Sequence, residues 1–280
     1  MKADRSIFKA YDIRGIVGKT LTVDVARAVG QALGTLAVRA GISEFCVGRD
    51  GRLSGPELAA ALIEGIAAAG VNVIDIGMTP TPVLYFATTY FKNGTGVAVT
   101  GSHNPADYNG FKMMLGGLTL FGEGIAHLAD MIDAGDLVTA EKPGTVREAD
   151  VIGPYLEKVA GDVKLARPIK VAVDCGNGVT GPTVRRMFKA LGADVTELYF
   201  DVDGHFPNHH PDPSKPANLA ELIDVVKNTD VELGLAFDGD GDRLGVVTKS
   251  GSIIYPDRQM MLFAADILQK LGLPSLAQSI

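Results

Sequence analysis

VGRDGRLSGP (Val47–Pro56) is the stretch that decides the fold, because VDCGNGVTGP (Val173–Pro182) aligns with it without a gap. In both copies an apolar, strand-like run leads into the glycines, and a helix-like run follows the proline and ends at another glycine. A repeated strand, turn and helix is typical of related α/β domains. The chain is therefore expected to be an α/β protein with two related three-layer domains, each built on a mixed β-sheet.

The periodicity on either side of the repeats indicates where the domains lie. Apolar residues recur at helical spacing from Val25 to Ala40, and short apolar runs elsewhere predict strands. The polar segment Gly135–Asp150 contains a proline and a glycine, which predicts a linker between domains. The predicted domains are domain 1 with a serine loop at 1–148, domain 2 with an acidic loop at 149–252, and the start of a truncated domain 3 at 253–280.

Composition excludes several classes of protein. Of 280 residues, 46% are apolar, and 26 basic residues face 33 acidic ones for a net charge of −7, so the chain has a globular composition without a basic patch for nucleic acid. The longest apolar stretch, Leu58–Ile74, is interrupted by polar residues and glycines, so neither a membrane span nor a signal peptide is expected. Cys46 and Cys175 lie in or at the end of strand-like runs, which predicts reduced thiols in a cytoplasmic protein.

The loop TGSHNP (Thr100–Pro105) follows a predicted strand, so Ser102 stands at the carboxyl end of that strand. Ligands bind at this end in open α/β sheets, and the preceding glycine lets the backbone approach a phosphate closely. A plain turn is the alternative, because glycine, serine, asparagine and proline all favour turns. The nucleophile elbow of hydrolases is excluded, since Asn104 stands where that motif needs glycine.

The loop DGDGDR (Asp238–Arg243) lies between two predicted strands, and its alternating glycines can turn three carboxylates to one side. Carboxylates packed so closely repel one another unless a cation neutralises them, and ligation by oxygen alone favours Mg²⁺ or Mn²⁺. A solvated acidic turn is the alternative. An EF-hand is excluded because Arg243 and Lys249 stand at its glycine and glutamate positions.

A serine loop in one domain and a metal loop in the next suggest one cleft between the two domains. Phosphoryl transfer fits this pair best, because a cation beside a serine oxygen would neutralise a phosphoryl group carried there. Arg14, Lys112 and Arg243 would add positive charge and hydrogen-bond donors. Each of these bases, taken alone, is better explained as an exposed surface side chain.

Four motifs together resemble the α-D-phosphohexomutases, in particular the bacterial phosphomannomutase/phosphoglucomutase branch. They are FKAYDIRG (Phe8–Gly15), TGSHNPADYNGFK (Thr100–Lys112), DGHFPNHHPDPSKP (Asp203–Pro216) and FDGDGDRLG (Phe237–Gly245).

The resemblance implies a role for each site residue. Ser102 would carry the transferable phosphoryl group, and a Mg²⁺ ion would be bound by the phosphoserine and the acidic loop. The implied metal ligands are Ser102, Asp238, Asp240 and Asp242. The implied catalytic residues are Ser102, Lys112 as general acid/base, Arg243 and Arg14, and the implied substrate-binding residues are Tyr11, Arg14, His103, Lys112 and Arg243. The histidines His205, His209 and His210 are assigned no catalytic role.

The implied reaction interconverts hexose 1-phosphate and 6-phosphate of mannose or glucose, with a hexose 1,6-bisphosphate as intermediate and activator. The expected partner is a small phosphosugar. Family members of full length have four domains, whereas this chain ends early in the third, so turnover by this chain alone is open. The alternatives are a non-turnover remnant that binds Mg²⁺ and phosphosugar, and one half of a split mutase that needs a separate C-terminal chain.

Overall fold

The structure, a computed structural model, describes residues 2–273, so the last seven residues of the predicted third domain lie outside it. Among the described residues, no helix is long and apolar enough to cross a membrane. The chain folds into two α/β domains, which confirms the predicted fold class.

The first domain is a mixed sheet with helices packed against it. Its strands are β1 (Ile13–Ile16), β2 (Glu44–Arg49), β3 (Asn72–Met78), β4 (Gly96–Val99), β5 (Tyr108–Leu115), β6 (Leu118–Thr119) and β7 (Val146–Glu148). Its helices are α1 (Val23–Arg39), α2 (Gly55–Ala68), α3 (Thr81–Tyr90) and α4 (Glu123–Ala134). The strand order is β1-β5-β4-β2-β3-β7, with β6 paired to β5. Strands β4, β2, β3 and β7 are parallel, whereas β5 runs antiparallel to its neighbours.

The second domain repeats the plan on a smaller sheet. Its strands are β8 (Lys170–Asp174), β9 (Asp194–Leu198), β10 (Leu233–Phe237), β11 (Leu244–Thr248) and β12 (Ile253–Ile254). The helices that follow the first domain are α5 (Ile152–Asp162), α6 (Thr180–Leu191), α7 (Ala220–Asn228) and α8 (Pro256–Lys270). The strand order is β12-β11-β10-β8-β9, with β10, β8 and β9 parallel. Strands β2 and β8 therefore hold equivalent places, as the sequence repeat predicts.

Helices α1 and α2 pack closely because glycines remove side chains from their contact. A Cβ atom on Gly30 would lie 2.1 Å from the carbonyl oxygen of Leu62, and one on Gly65 would lie 2.0 Å from that of Arg27. On the rest of its buried face α1 carries apolar side chains such as Val29 and Leu33, which join the core of the first domain. The two helices therefore cover the apolar core of the first domain.

The segment expected to be a linker, Gly135–Asp150, contains strand β7. This strand extends the first sheet by parallel pairing with β3, Val73 opposite Val146. All residues of β7 are exposed, so a polar sequence is compatible with backbone pairing at a sheet edge. The linker prediction is wrong for this part of the segment, because side-chain polarity does not report backbone hydrogen bonding.

The domain limits are less sharp than the sequence suggests. Val151, at the start of α5, is buried in a cluster of the first domain, and the Tyr155 ring packs edge-on against Phe86 of α3 with centroids 5.4 Å apart. Strand β12 pairs with β11, so the second sheet extends two residues into the segment expected to begin a third domain. Helix α8 then carries exposed apolar side chains, including Met261 and Leu262.

Candidate active site

The serine loop follows β4 directly, at the carboxyl end of that strand. Ser102 is 1% exposed and its φ is +49°, a left-handed backbone conformation that few residues other than glycine adopt. Its amide donates a hydrogen bond to the hydroxyl of Thr100 at 2.8 Å. The loop is therefore held in one uncommon conformation.

A buried ion pair supports the serine loop from beneath. The Asp50 carboxylate accepts hydrogen bonds from the Thr100 hydroxyl at 2.8 Å and from the Gly101 amide at 3.1 Å. Arg52 lies 3.3 Å from the same carboxylate and donates to the carbonyl oxygens of four loop residues: Ser102, Asn104, Pro105 and Tyr108. Both charged side chains are almost completely buried.

The acidic loop joins β10 to β11 and gathers three carboxylates. Ligand oxygens of Asp238, Asp240 and Asp242 lie within 4.8 Å of one another, with the first two residues fully buried and the third exposed. The Asp238 carboxylate accepts backbone hydrogen bonds from Gly241 and Arg243, each at 3.0 Å, which fixes the turn. Gly241 has φ +77°, so glycine is required at that position.

The chemistry of this cluster fits a hard divalent cation such as Mg²⁺. Burial and the charges of the other two aspartates raise the pKa of Asp238 to about 8. The Oδ1 atom of Asp240 is buried and has no hydrogen-bond partner among the described residues. A buried carboxylate oxygen left without a donor is a free ligand atom, and oxygen-only donor sets favour Mg²⁺.

The two loops meet across the domain boundary. The Ser102 hydroxyl donates a 2.8 Å hydrogen bond to Oδ2 of Asp238. Nearby, the hydroxyl of Thr81 donates to Oδ2 of Asp240 at 2.6 Å. The Lys112 ammonium donates to the same oxygen at 2.6 Å and also to Asp242. Although burial opposes its charge, these two carboxylates raise the pKa of Lys112 well above its usual value.

A cavity of about 260 Å³ opens above Ser102 and gathers most of the residues expected there. Its lining residues are Tyr11, Asp12, Arg14, Tyr85, Ser102, Lys112, Thr119, Asp242 and Arg243. The Arg14 guanidinium pairs with Asp12, and Tyr11 is 78% exposed at the rim. The concave surface therefore combines a buried hydroxyl with three cationic groups and two carboxylates, and the excess of positive charge suits a phosphorylated ligand.

His103 does not line this cavity, although it was expected to bind substrate. Its Nδ1 atom lies 3.2 Å from the Ser102 hydroxyl, and its carbonyl oxygen accepts a hydrogen bond from His210. Burial, Arg243 and Arg14 lower the pKa of His103 to about 4, so the ring is neutral near pH 7. The structure places this ring beside the Ser102 hydroxyl and outside the lining of this cavity.

The remaining histidines have structural contacts. His209 donates through Nε2 to Asp174 at 2.9 Å, and His205 contacts Asp203 on the surface. Together with the contact from His210 to the serine loop, they stabilise the second-domain loop that packs on the first domain.

Sequence reasoning missed several residues that organise the site. Asp50 and Arg52 lie within the repeat, but nothing in a single sequence distinguishes them from solvated loop charges. Thr81 and Tyr85 reach the site from α3, and only the tertiary fold brings that helix to the acidic loop. Asp12 stands within a quoted motif, and its spacing from Arg14 on an extended segment could have suggested the pair.

The fold and site define a class of α/β protein in which a serine loop of one domain meets an aspartate loop of the next. A model described as phosphoglucomutase/phosphomannomutase, alpha/beta/alpha domain I, matches residues 5–138, and the model of domain II matches residues 153–251. The chain belongs to the phosphoglucomutase/phosphomannomutase family.

Individual relatives agree with this assignment. A phosphoglucomutase of Neisseria gonorrhoeae is 58% identical over 266 residues, covering 95% of this chain and 58% of that protein. A phosphomannomutase/phosphoglucomutase of Pseudomonas putida is 52% identical over 265 residues, covering 95% of this chain and 57% of that protein. The crystal structure of a family protein from Burkholderia thailandensis matches with a TM-score of 0.92 and 53% identity, covering 96% of this chain and 60% of the other. The chain therefore spans less than two thirds of the length of these relatives.

Proposed function

We propose that the chain carries the phosphoryl-transfer site of a phosphohexomutase, which interconverts the 1-phosphate and 6-phosphate of mannose or glucose. The observation that supports this proposal most strongly is the 2.8 Å contact between the Ser102 hydroxyl and Asp238, at the wall of a basic cavity. A nucleophile, a cation site and phosphate-binding groups thus occur within one concave surface. The names of the relatives support the same activity.

Ser102 is the proposed phosphoryl carrier, and Asp238, Asp240 and Asp242 would hold Mg²⁺ together with a phosphoserine oxygen. When bound, Mg²⁺ neutralises charge that develops on the transferring phosphoryl group. Arg14 and Arg243 would bind phosphate oxygens of the sugar, with Tyr11 at the rim. His103 is better placed to orient the serine than to contact the sugar.

The reaction begins when the free hydroxyl of a hexose monophosphate attacks the phosphorus of phospho-Ser102. The new oxygen–phosphorus bond forms as the bond to Ser102 Oγ breaks, and the hydroxyl gives up its proton. Lys112 is an ammonium in the free site because Asp240 and Asp242 raise its pKa, so it is the candidate that gives a proton to Ser102 Oγ as that bond breaks and takes up the proton of the attacking hydroxyl. In the second half, Ser102 attacks the other phosphate of the hexose 1,6-bisphosphate and releases the isomeric monophosphate.

A second candidate is a phosphoryl-carrying part that binds Mg²⁺ and phosphosugar but needs a further C-terminal part for turnover. The greater length of the relatives and the exposed apolar side chains on α8 favour it. A separately encoded C-terminal chain would serve as well as a covalent one.

The buried thiols of Cys46 and Cys175, which form no disulfide in the described part of the chain, support a cytoplasmic location.

The test uses the purified chain with Mg²⁺, a trace of glucose 1,6-bisphosphate and either glucose 1-phosphate or mannose 1-phosphate. Formation of 6-phosphate is followed by a coupled assay, and phosphorylation of Ser102 by intact mass. The variant Ser102→Ala should abolish both signals, whereas Ser250→Ala, at an exposed turn, should leave both unchanged.

The outcomes separate the two candidates. Serine-dependent turnover supports the mutase, and serine phosphorylation without turnover supports the carrier. If wild-type protein gives neither signal, or if Ser102→Ala retains both, the proposed function is contradicted.

A further inference from the structure

We propose that Arg52 is a positioning residue for Ser102, acting through the backbone of the serine loop. The inference deepens the proposed function, because it identifies the group that fixes the phosphoryl carrier in place. It depends on the hydrogen bonds and the burial of Arg52, and on the conformation of Ser102 itself.

The Arg52 guanidinium meets the loop at several points at once. Nη2 donates to the carbonyl oxygens of Ser102 at 2.9 Å and Asn104 at 2.6 Å. Nη1 donates to those of Pro105 at 2.6 Å and Tyr108 at 2.8 Å. A planar fork with fixed donors can hold four carbonyls in one arrangement, which a lysine ammonium with three freely rotating donors cannot do.

Asp50 connects the residues that precede Ser102 to the Arg52 guanidinium. Its carboxylate accepts from the hydroxyl of Thr100 and the amide of Gly101, and it lies 3.3 Å from Nε of Arg52. Donors and acceptors on both sides of Ser102 are thus joined to one buried ion pair. This arrangement accounts for a serine that keeps a φ of +49°, which an unsupported loop would leave.

The second domain closes over this ion pair. The Phe206 ring lies over the Arg52 guanidinium, with 5.2 Å between the guanidinium carbon and the ring centroid. Gly204 packs so closely that a Cβ atom there would lie 2.8 Å from the amide nitrogen of Leu53. Arg52 is thereby shielded from water, which strengthens its bonds to the loop carbonyls.

Arg52 does not line the cavity above Ser102 and its side chain is 1% exposed, so we do not expect it to contact the substrate. Its loss should therefore lower the rate of phosphoryl transfer at saturating donor without raising the donor concentration needed for half-saturation. A displacement of about 1 Å at a reacting group lowers rates by about a hundredfold, so a clear effect on the rate is expected.

The experiment compares Arg52→Lys with Arg49→Lys. Both variants keep the charge, and Arg49 lies three residues earlier, where its guanidinium makes one long hydrogen bond among the described residues, to the carbonyl oxygen of Asp50 at 3.5 Å. Phosphorylation of Ser102 by glucose 1,6-bisphosphate with Mg²⁺ is followed by intact mass over a range of donor concentrations. Hydrogen–deuterium exchange of residues 101–110 is measured on the same proteins, and thermal melting confirms that each is folded.

The expected result for Arg52→Lys is a saturating rate lower by about tenfold to a hundredfold, with an unchanged half-saturating concentration and faster exchange confined to the serine loop. Arg49→Lys should match wild type in all three respects. A saturating rate within about twofold of wild type, or a loss confined to donor affinity, overturns the proposal.

A wild-type chain that takes up no phosphoryl group contradicts the proposed function instead. The exchange measurement then decides the role of Arg52, since unchanged exchange in Arg52→Lys overturns it and selective loosening of the loop supports it.

Discussion

At Ser102, the backbone and the side chain are held by different groups. Arg52 and Asp50 fix the loop from within the first domain. The Ser102 hydroxyl donates a hydrogen bond to Asp238 of the second domain. In the proposed reaction, the hydroxyl would exchange its hydrogen bond to Asp238 for a phosphoryl group while the loop stays in place. The proposed nucleophile is therefore preorganised by contacts within the protein.

The unpartnered oxygen of Asp240 leads to a prediction about metal binding. Asp240→Asn should weaken Mg²⁺ binding by about tenfold or more, because a buried anionic ligand becomes neutral. Isothermal titration calorimetry with Mg²⁺ measures the effect. The control Asp203→Asn changes an exposed carboxylate and should bind Mg²⁺ as wild type does, and equal affinity in Asp240→Asn would contradict the metal site.

His209 should make the stability of the fold depend on pH. Burial opposes its charge, but the hydrogen bond to Asp174 and the charge of that carboxylate raise its pKa above the usual value. A pKa raised in the folded state stabilises the protein below the unfolded value of about 6.5, and this stabilisation is lost as the pH rises through the folded value.

Urea unfolding at pH 5.5 and pH 8.5 tests this prediction. The loss of unfolding free energy in His209→Gln should be larger at the lower pH, whereas His127→Gln, at an exposed position, should show no such difference. A larger loss at the higher pH would refute the assigned direction.

At the scale of elements, the contact between α1 and α2 depends on glycine. Gly30→Ala would place a methyl group 2.1 Å from the Leu62 carbonyl oxygen, so the helices must separate. We expect the free energy of unfolding to fall by about 1–3 kcal/mol, as for other overpacked contacts. Gly161→Ala in α5 meets no atom within 4 Å and should instead stabilise by up to about 1 kcal/mol. Chemical denaturation measures the free energy of unfolding of both variants. Equal changes in the two variants would contradict the prediction.

Elements with a clear apolar period could be predicted from the sequence. The apolar period predicts a helix that runs to Ala40, and helix α1 ends at Arg39. The agreement is close because the buried face repeats regularly and Gly41 follows. Strand β7 could not be predicted in the same way, since its side chains are exposed and only its backbone pairs. The places of Ser102 and Asp238 at strand ends followed from position alone. The hydrogen bonds from Arg52 to the serine loop could not be predicted, because they join residues about fifty positions apart in the sequence.

For the molecule as a whole, the meeting of the two domains depends on a close backbone approach at the site. A Cβ atom on Gly239 would lie 2.4 Å from the carbonyl oxygen of Ser102. Gly239→Ala should therefore push the acidic loop away from the serine loop and lower Ser102 phosphorylation by about tenfold or more.

Far-ultraviolet circular dichroism of Gly239→Ala should match wild type, because both sheets stay intact. The mass assay described above measures the loss of phosphorylation. Undiminished phosphoryl uptake would show that the two loops need not approach this closely.

The two copies of the repeat, Val47–Pro56 and Val173–Pro182, differ at the position that contacts the neighbouring loop. Where the first copy carries Arg52, the second carries Gly178, and a Cβ atom there would lie 2.9 Å from the carbonyl oxygen of Gly239. In the first copy Arg52 binds the backbone of the serine loop, whereas in the second copy the absence of a side chain at Gly178 lets the acidic loop pack against the turn. Exchanging the two decapeptides would remove the Arg52 hydrogen bonds from the serine loop, and it would place a side chain at position 178, where the acidic loop packs.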